Sequence, residues 1–227
     1  MLLPGLDGSG VLFQPLLEQL SPELRPIVVT YPVDELFGYE QLLPLALGAL
    51  PHDRPFILLG ESFSGPLSLM AAATRPRNLR GVILCASFVQ NPVWGRPAWL
   101  RHLARPIAFQ LFPAVSRVRA LFASGQAREL RALSAEALSQ VRPEVLARRV
   151  RAALHVNVLQ QLRACDVPIL YLLGEHDRVV PRHNAREIVA AHPSVKVVRL
   201  AASHWILQTQ PRPAAAAIEA FVAEVSR

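Results

Sequence analysis

The chain has 227 residues, 52% hydrophobic and 18% charged, with a formal net charge of +7; that length fits one domain with room for an inserted subdomain, and the composition excludes a disordered chain. No apolar run reaches the roughly 18 to 20 residues that a membrane-spanning helix needs. Cys85 and Cys165 make neither a disulfide framework nor a zinc spacing, and "MLLPGLDGSG" lacks the basic start of a signal peptide, so a cytoplasmic, metal-free protein is expected.

In chain order, "MLL" before Pro4 reads as a strand stub and "PGLDGSG" as a loop, followed by a helix over 11–20. Strands are expected at "PIVVTY" (26–31), "FILLGE" (56–61) and "GVILCAS" (81–87), with helices over 38–50 and 65–75 between and after them. The alternation stops between Phe88 and Asp166. There, "NPVWGRPAWLRHLARPIAFQLFPAV" is aromatic and broken by prolines, and Ser134 to Ala164 reads as one or two helices with Ser134 as N-cap. Strands resume at "PILYLLG" (168–174) and "VKVVRLA" (195–201), with helices over 181–192 and 213–225. The strands are β-branched or Leu-rich without polar alternation, as in a parallel sheet covered on both faces. Alternating strands and helices predict an α/β fold with right-handed crossovers. Residues 1–88 and 165–227 form its core, and residues 89–164 an inserted helical cap.

Ligands of open parallel sheets sit at the carboxyl ends of the strands. Ser62 follows 56–61 there, Glu175, His176 and Asp177 follow 168–174, and Ser203, His204 and Trp205 follow 195–201. Ser62 has Gly60 two residues before it and the small Ser64 two residues after it, as a tight strand-to-helix turn requires. As a nucleophile it competes with a plain helix-capping role. Ser64 is a weaker candidate because Pro66 stands at its own +2 position. Asp177 in "GEHDRVVP" is the expected acid, with Glu175 as its competitor and a helix cap as the structural alternative. His204 in "AASHW" is the expected base, with His176 as its rival. Gly5 and Gly8 let the backbone of "LPGLDGSG" turn inward, so the N–H of Leu6 pairs with that of Phe63 as an oxyanion hole. The loop lacks the G-K-[ST] ending of a nucleotide-binding P-loop.

Together these motifs resemble the α/β-hydrolase superfamily, whose triads run in the chain order Ser–Asp–His. "LPGLDGSG" stands at the oxyanion loop, "GESFSG" at the nucleophile elbow, "GEHDRVVP" at the acid and "SHW" at the base. The resemblance covers the chain outside the cap. There are two departures: Ser64 replaces the second elbow glycine, and the chain starts at the oxyanion strand, without the first one or two strands usual in the family. The resemblance implies a mostly parallel sheet flanked by helices and a carboxylesterase working through an acyl-enzyme without a cofactor. An acyltransferase or thioesterase on the same triad, and a non-catalytic binding protein, are the alternatives.

Trp94, Trp99, Phe109, Phe112 and Phe122 are candidates to line an acyl pocket or to pack the cap onto the body. From Asn91 to Arg163 the chain carries 12 Arg against 3 Glu, a local balance of +9 that leaves the remainder near −2. Those arginines either dock an anionic acyl carrier or membrane surface, or form a solvated face. The expected partner is a small ester or acyl substrate; nothing resembles a nucleic-acid-binding module.

Overall fold

The apolar runs become five parallel strands in the order β1 (Leu2–Leu3), β2 (Phe56–Glu61), β3 (Leu79–Cys85), β4 (Ile169–Gly174) and β5 (Lys196–Leu200). The computed structural model describes residues 1–92 and 126–226. Within them the helices are α1 (Gln14–Leu17), α2 (Tyr39–Gly48), α3 (Ser64–Ala73), α4 (Gln126–Ser139), α5 (Pro143–His155), α6 (Leu159–Arg163), α7 (His183–Ala191), α8 (Ile206–Thr209) and α9 (Pro211–Val225). None of these is long and apolar enough to cross a membrane.

Side chains alternate across a strand, and this divides the core in two. Leu58, Val82, Leu84, Ile169, Tyr171 and Leu173 face the layer that includes α2, α3, α6 and α7. Leu59, Ile83, Cys85, Leu170 and Leu172 face α1, α8 and α9. Strands β2, β3 and β4 are buried on both faces, which explains why they lack polar alternation.

The segment 26–31, expected as a full strand, makes one parallel bridge, Val28 to Leu2. The N–H of Leu2 donates to the Ile27 carbonyl (2.7 Å) and that of Val29 to the Leu2 carbonyl (3.0 Å). The ladder stops there because β1 offers two residues before Pro4, which has no N–H to continue it. Even so, β1 has β2 on one side and Val28 on the other. The chain therefore reverses its direction across the sheet at β1, and such a switch point opens a crevice at the strand ends.

Two further expectations are corrected. The helix over 11–20 is a 3-10 turn, Val11–Phe13, followed by the single turn of α1, with Pro15 in its first turn. Ser134 is not an N-cap but lies inside α4, its hydroxyl donating to the Leu130 carbonyl at 2.7 Å. The strong helix formers upstream in "QARELRAL" start the helix earlier. The segment after α5 returns to the sheet beside residues 89–90: Val158 N–H donates to the Val89 carbonyl (2.8 Å), and Gln90 bridges Asn157. Val145 and Leu146 of α5 pack with Leu6 of the loop after β1.

Helix α3 follows β2 so tightly that a Cβ on Gly60 would stand 2.4 Å from the Ser64 carbonyl oxygen and 2.8 Å from Ser68 Oγ. Gly60→Ala is therefore expected to cost about 3 kcal/mol through overpacking, lowering Tm by roughly 6 to 12 °C. A thermal melt matching the parent protein would contradict this close approach.

Candidate active site

Ser62 occupies the turn between β2 and α3 with φ 48°, a left-handed conformation that strains a residue with a side chain. Three bonds hold it there. Its N–H donates to the Cys85 carbonyl at 2.8 Å, and its own carbonyl accepts from Ser87 Oγ at 2.6 Å and from the Gly65 N–H at 3.2 Å. The strand thus prolongs its ladder by one residue and then bends, which sets Ser62 Oγ above the sheet edge.

Ser62 Oγ lies 2.9 Å from His204 Nε2, and His204 Nδ1 lies 2.8 Å from Asp177 Oδ2. The His204 side chain is 12% exposed and that of Asp177 only 1%. Asp177 also serves its own loop, because Oδ1 accepts the N–H groups of Val179 (2.8 Å) and Val180 (2.9 Å). One oxygen thus meets the histidine and the other closes a turn; no helix begins at Asp177 for it to cap, since α7 starts at His183 with Arg182 at its N-cap. His176, the rival of His204, is exposed, and His204 Nδ1 meets the carboxylate of Asp177.

The loop after β1 turns through Gly8 and Gly10, both at φ 74°. The Gly8 N–H donates to the Gly5 carbonyl at 3.2 Å, and the Gly8 carbonyl accepts the Tyr31 N–H at 2.8 Å. Asp7, buried, accepts the N–H and hydroxyl of Ser9. Leu6 and Phe63 both line a cleft of about 370 Å³ with Ser62 and His204. The rest of its wall is mostly apolar and includes Leu12, Phe88, Leu138, Val150, Leu154, Val179 and Trp205. Trp94, Trp99, Phe109, Phe112 and Phe122 lie outside the described residues. Among the described residues no group of three or more His, Cys, Asp or Glu could hold a metal ion.

Three polar residues near this cleft escape a reading by motif. Ser64 is fully buried, and its hydroxyl donates to the Pro4 carbonyl and accepts from the Tyr31 hydroxyl (2.7 Å). Glu61, also buried, accepts from Gln208 Nε2 at 2.9 Å. Arg149 on α5 is fully buried beside Tyr31. Only Arg149 leaves a sequence signal: it shares the buried face of Val145, Leu146 and Ala153, so an arginine interrupts an apolar helical stripe.

Burial pushes the Glu61 carboxyl from an ordinary value of 4.5 up to about 7, although the bond from Gln208 favours the charged form. The native state therefore keeps a proton that the unfolded chain releases near pH 4.5. The contribution of this carboxyl to stability falls by about 3 kcal/mol as pH rises from 4.5 to 7, and Glu61 itself adds no slope outside that window. Glu61→Gln is expected to lack this step. Urea unfolding at pH 4.5 and pH 8 should show the parent protein losing roughly 2 to 3 kcal/mol relative to the variant; a constant difference would mean that Glu61 is not held neutral.

The family described as serine aminopeptidase, S33, matches residues 45–205. The pimeloyl-[acyl-carrier protein] methyl ester esterase of Xanthomonas oryzae pv. oryzae (strain MAFF 311018) is 27% identical over 244 residues, covering 99% of this chain and 95% of that protein. The esterase of the same name from Serratia marcescens is 28% identical over 224 residues, covering 91% and 87%. Among solved structures, a thermophilic esterase from Thermogutta terrifontis aligns with a TM-score of 0.79 at 19% identity, over 99% of this chain and 89% of that one. The enol-lactonase of Burkholderia xenovorans LB400 aligns with a TM-score of 0.71, also at 19%, over 98% and 90%; at that identity the likeness speaks for the fold. With the parallel sheet and a family match over more than half of its length, the chain belongs to the serine aminopeptidase S33 family of α/β-hydrolases.

Proposed function

We propose that this α/β-hydrolase cleaves carboxylic esters through an acyl-enzyme formed on Ser62. The observation that carries the reading is the continuous hydrogen-bond chain Ser62–His204–Asp177, with distances of 2.9 and 2.8 Å. His204 Nε2 takes the proton from Ser62 Oγ as that oxygen attacks the ester carbonyl. Asp177 holds the Nδ1–H tautomer, its other oxygen already taken up by two N–H groups. The carbonyl oxygen becomes negative between the N–H groups of Leu6 and Phe63, each worth about 3 kcal/mol to the barrier in comparable sites. His204 returns the proton to the departing alcohol, then activates water to release the acid. No step in this sequence requires a metal or cofactor.

Residues 89–164 act in this reading as a cap over the 1–88 and 165–227 core. Support comes from Leu138, Val150 and Leu154 of α4 and α5, which line the same cleft as Ser62. An apolar wall of this kind suits an acyl chain. The esterases of Xanthomonas and Serratia are named for a methyl ester on an acyl-carrier protein; carried to this chain, the substrate is an acyl ester presented by an anionic carrier. The local charge of +9 between Asn91 and Arg163 supports that choice, with Arg142, Arg151 and Arg163 exposed.

A fluorophosphonate probe followed by peptide mapping is expected to mark Ser62 and no other serine; modification elsewhere, or none, overturns the assignment. Ser62→Ala and His204→Ala should each lower p-nitrophenyl ester hydrolysis by about 10,000-fold or more with the fold intact. Carrier docking has its own readout: kcat/KM on a carrier-bound ester should fall with added salt much more steeply than on a neutral short ester. Equal salt responses would remove the carrier and leave the hydrolase.

A further inference from the structure

The proposed oxyanion donor at Leu6 belongs to the peptide between Gly5 and Leu6, and the direction of that N–H depends on what holds the peptide plane. Its carbonyl, on Gly5, accepts from the Gly8 N–H within the turn. The planes on either side are gripped from outside the loop. The Pro4 carbonyl accepts the Ser64 hydroxyl, which in turn accepts from the Tyr31 hydroxyl. The Leu6 carbonyl accepts Arg149 Nη1 at 2.8 Å, and the same nitrogen donates to the Asp7 carbonyl at 2.9 Å. Arg149 Nη2 donates to the Pro32 carbonyl at 2.7 Å, and the guanidinium carbon stands 5.5 Å from the centre of the Tyr31 ring.

A fully buried guanidinium that directs its two Nη groups at three carbonyls, with Nε left unpaired, loses its hydration without gaining a full countercharge. Burial lowers its pKa only to about 10, so it stays charged at neutral pH. The fit is close: a Cβ on Gly8 would stand 2.7 Å from Arg149 Nη1. A planar fork reaches the Leu6 and Asp7 carbonyls with one nitrogen and Pro32 with the other, which the point charge of lysine does not match.

We propose that Arg149, backed by the Tyr31–Ser64 pair, is the positioning residue of the oxyanion loop: it keeps the Leu6 N–H aimed into the cleft and ties that aim to helix α5. The inference rests on the reading of Ser62 as nucleophile and of the Leu6 N–H as oxyanion donor. A donor aimed at developing charge acts in the transition state and hardly in the ground state. Arg149→Met is therefore expected to lower kcat by roughly 10- to 100-fold with KM within about twofold of the parent value. A trifluoromethyl ketone, which forms a tetrahedral oxyanion on Ser62, should lose affinity by a similar factor, and Arg149→Lys should recover little of the loss. Thermal melts fix an assay temperature at which each variant is folded. Should Arg149→Met not fold, Tyr31→Phe and Ser64→Ala decide, each expected to lower kcat severalfold at constant KM.

Unchanged kcat in these folded variants, or a loss confined to KM, overturns the positioning role. The parent protein separates the two layers of argument. If the fluorophosphonate marks Ser62 while folded Arg149→Met turns over normally, this inference alone falls; if Ser62 is not marked, the underlying reading falls with it.

Discussion

The left-handed turn at Ser62 is the constraint on which the rest of the site depends. Strand β2 must end, turn and start helix α3 across only two residues, Ser62 and Phe63, and a φ of 48° at Ser62 is how the backbone does so. The strain is tolerated because the turn is pinned from several sides: the Cys85 carbonyl below, the Ser87 hydroxyl beside it, and a helix that begins only two residues on. The neighbouring glycines follow from the same constraint. Gly60 has Ser64 backbone where a side chain would go, and a Cβ on Gly65 would overlap the Ser87 hydroxyl. The position of Ser62 Oγ relative to His204, and of the Phe63 N–H relative to the cleft, is inherited from this one bend.

Around the bend lies a group of polar side chains sunk into an apolar body. Each meets the desolvation penalty differently. Asp177 fills both oxygens with hydrogen bonds, Asp7 takes both donors of Ser9 on one oxygen, and Glu61 holds its proton to a higher pH. Arg149 keeps its charge and distributes it over backbone carbonyls. In a low-dielectric setting such bonds are stronger than at the surface, and an unmade one costs more. The environment that makes the site expensive to assemble also keeps its geometry narrow.

The departure from the elbow pattern at Ser64 shows how a local rule meets its limit. The pattern asks for a small residue there because the helix packs against the sheet, and serine satisfies that demand. What the pattern does not express is that the extra hydroxyl finds a carbonyl on a loop 60 residues away and a tyrosine 33 residues away. The steric slot here doubles as a tie between the elbow and the loop after β1.

Strand positions, the α/β class and the order Ser62, Asp177, His204 were legible in the sequence, because hydrophobic runs and strand-end residues are local features that survive without knowledge of their partners. Strand 56–61 has the same bounds in both descriptions. Membership of 26–31 in the ladder was not legible, since it depends on how many residues its neighbour β1 offers. Nor was the start of α4, where upstream helix formers outweigh the capping preference of Ser134. The choice of Asp177 over Glu175 and of His204 over His176 rested on order and spacing, and only the folded chain separates them by distance and exposure. Tertiary structure alone decided the bonds of Ser64, the burial of Glu61 and the grip of Arg149 on the loop, because each joins segments far apart in the chain whose approach no local pattern encodes.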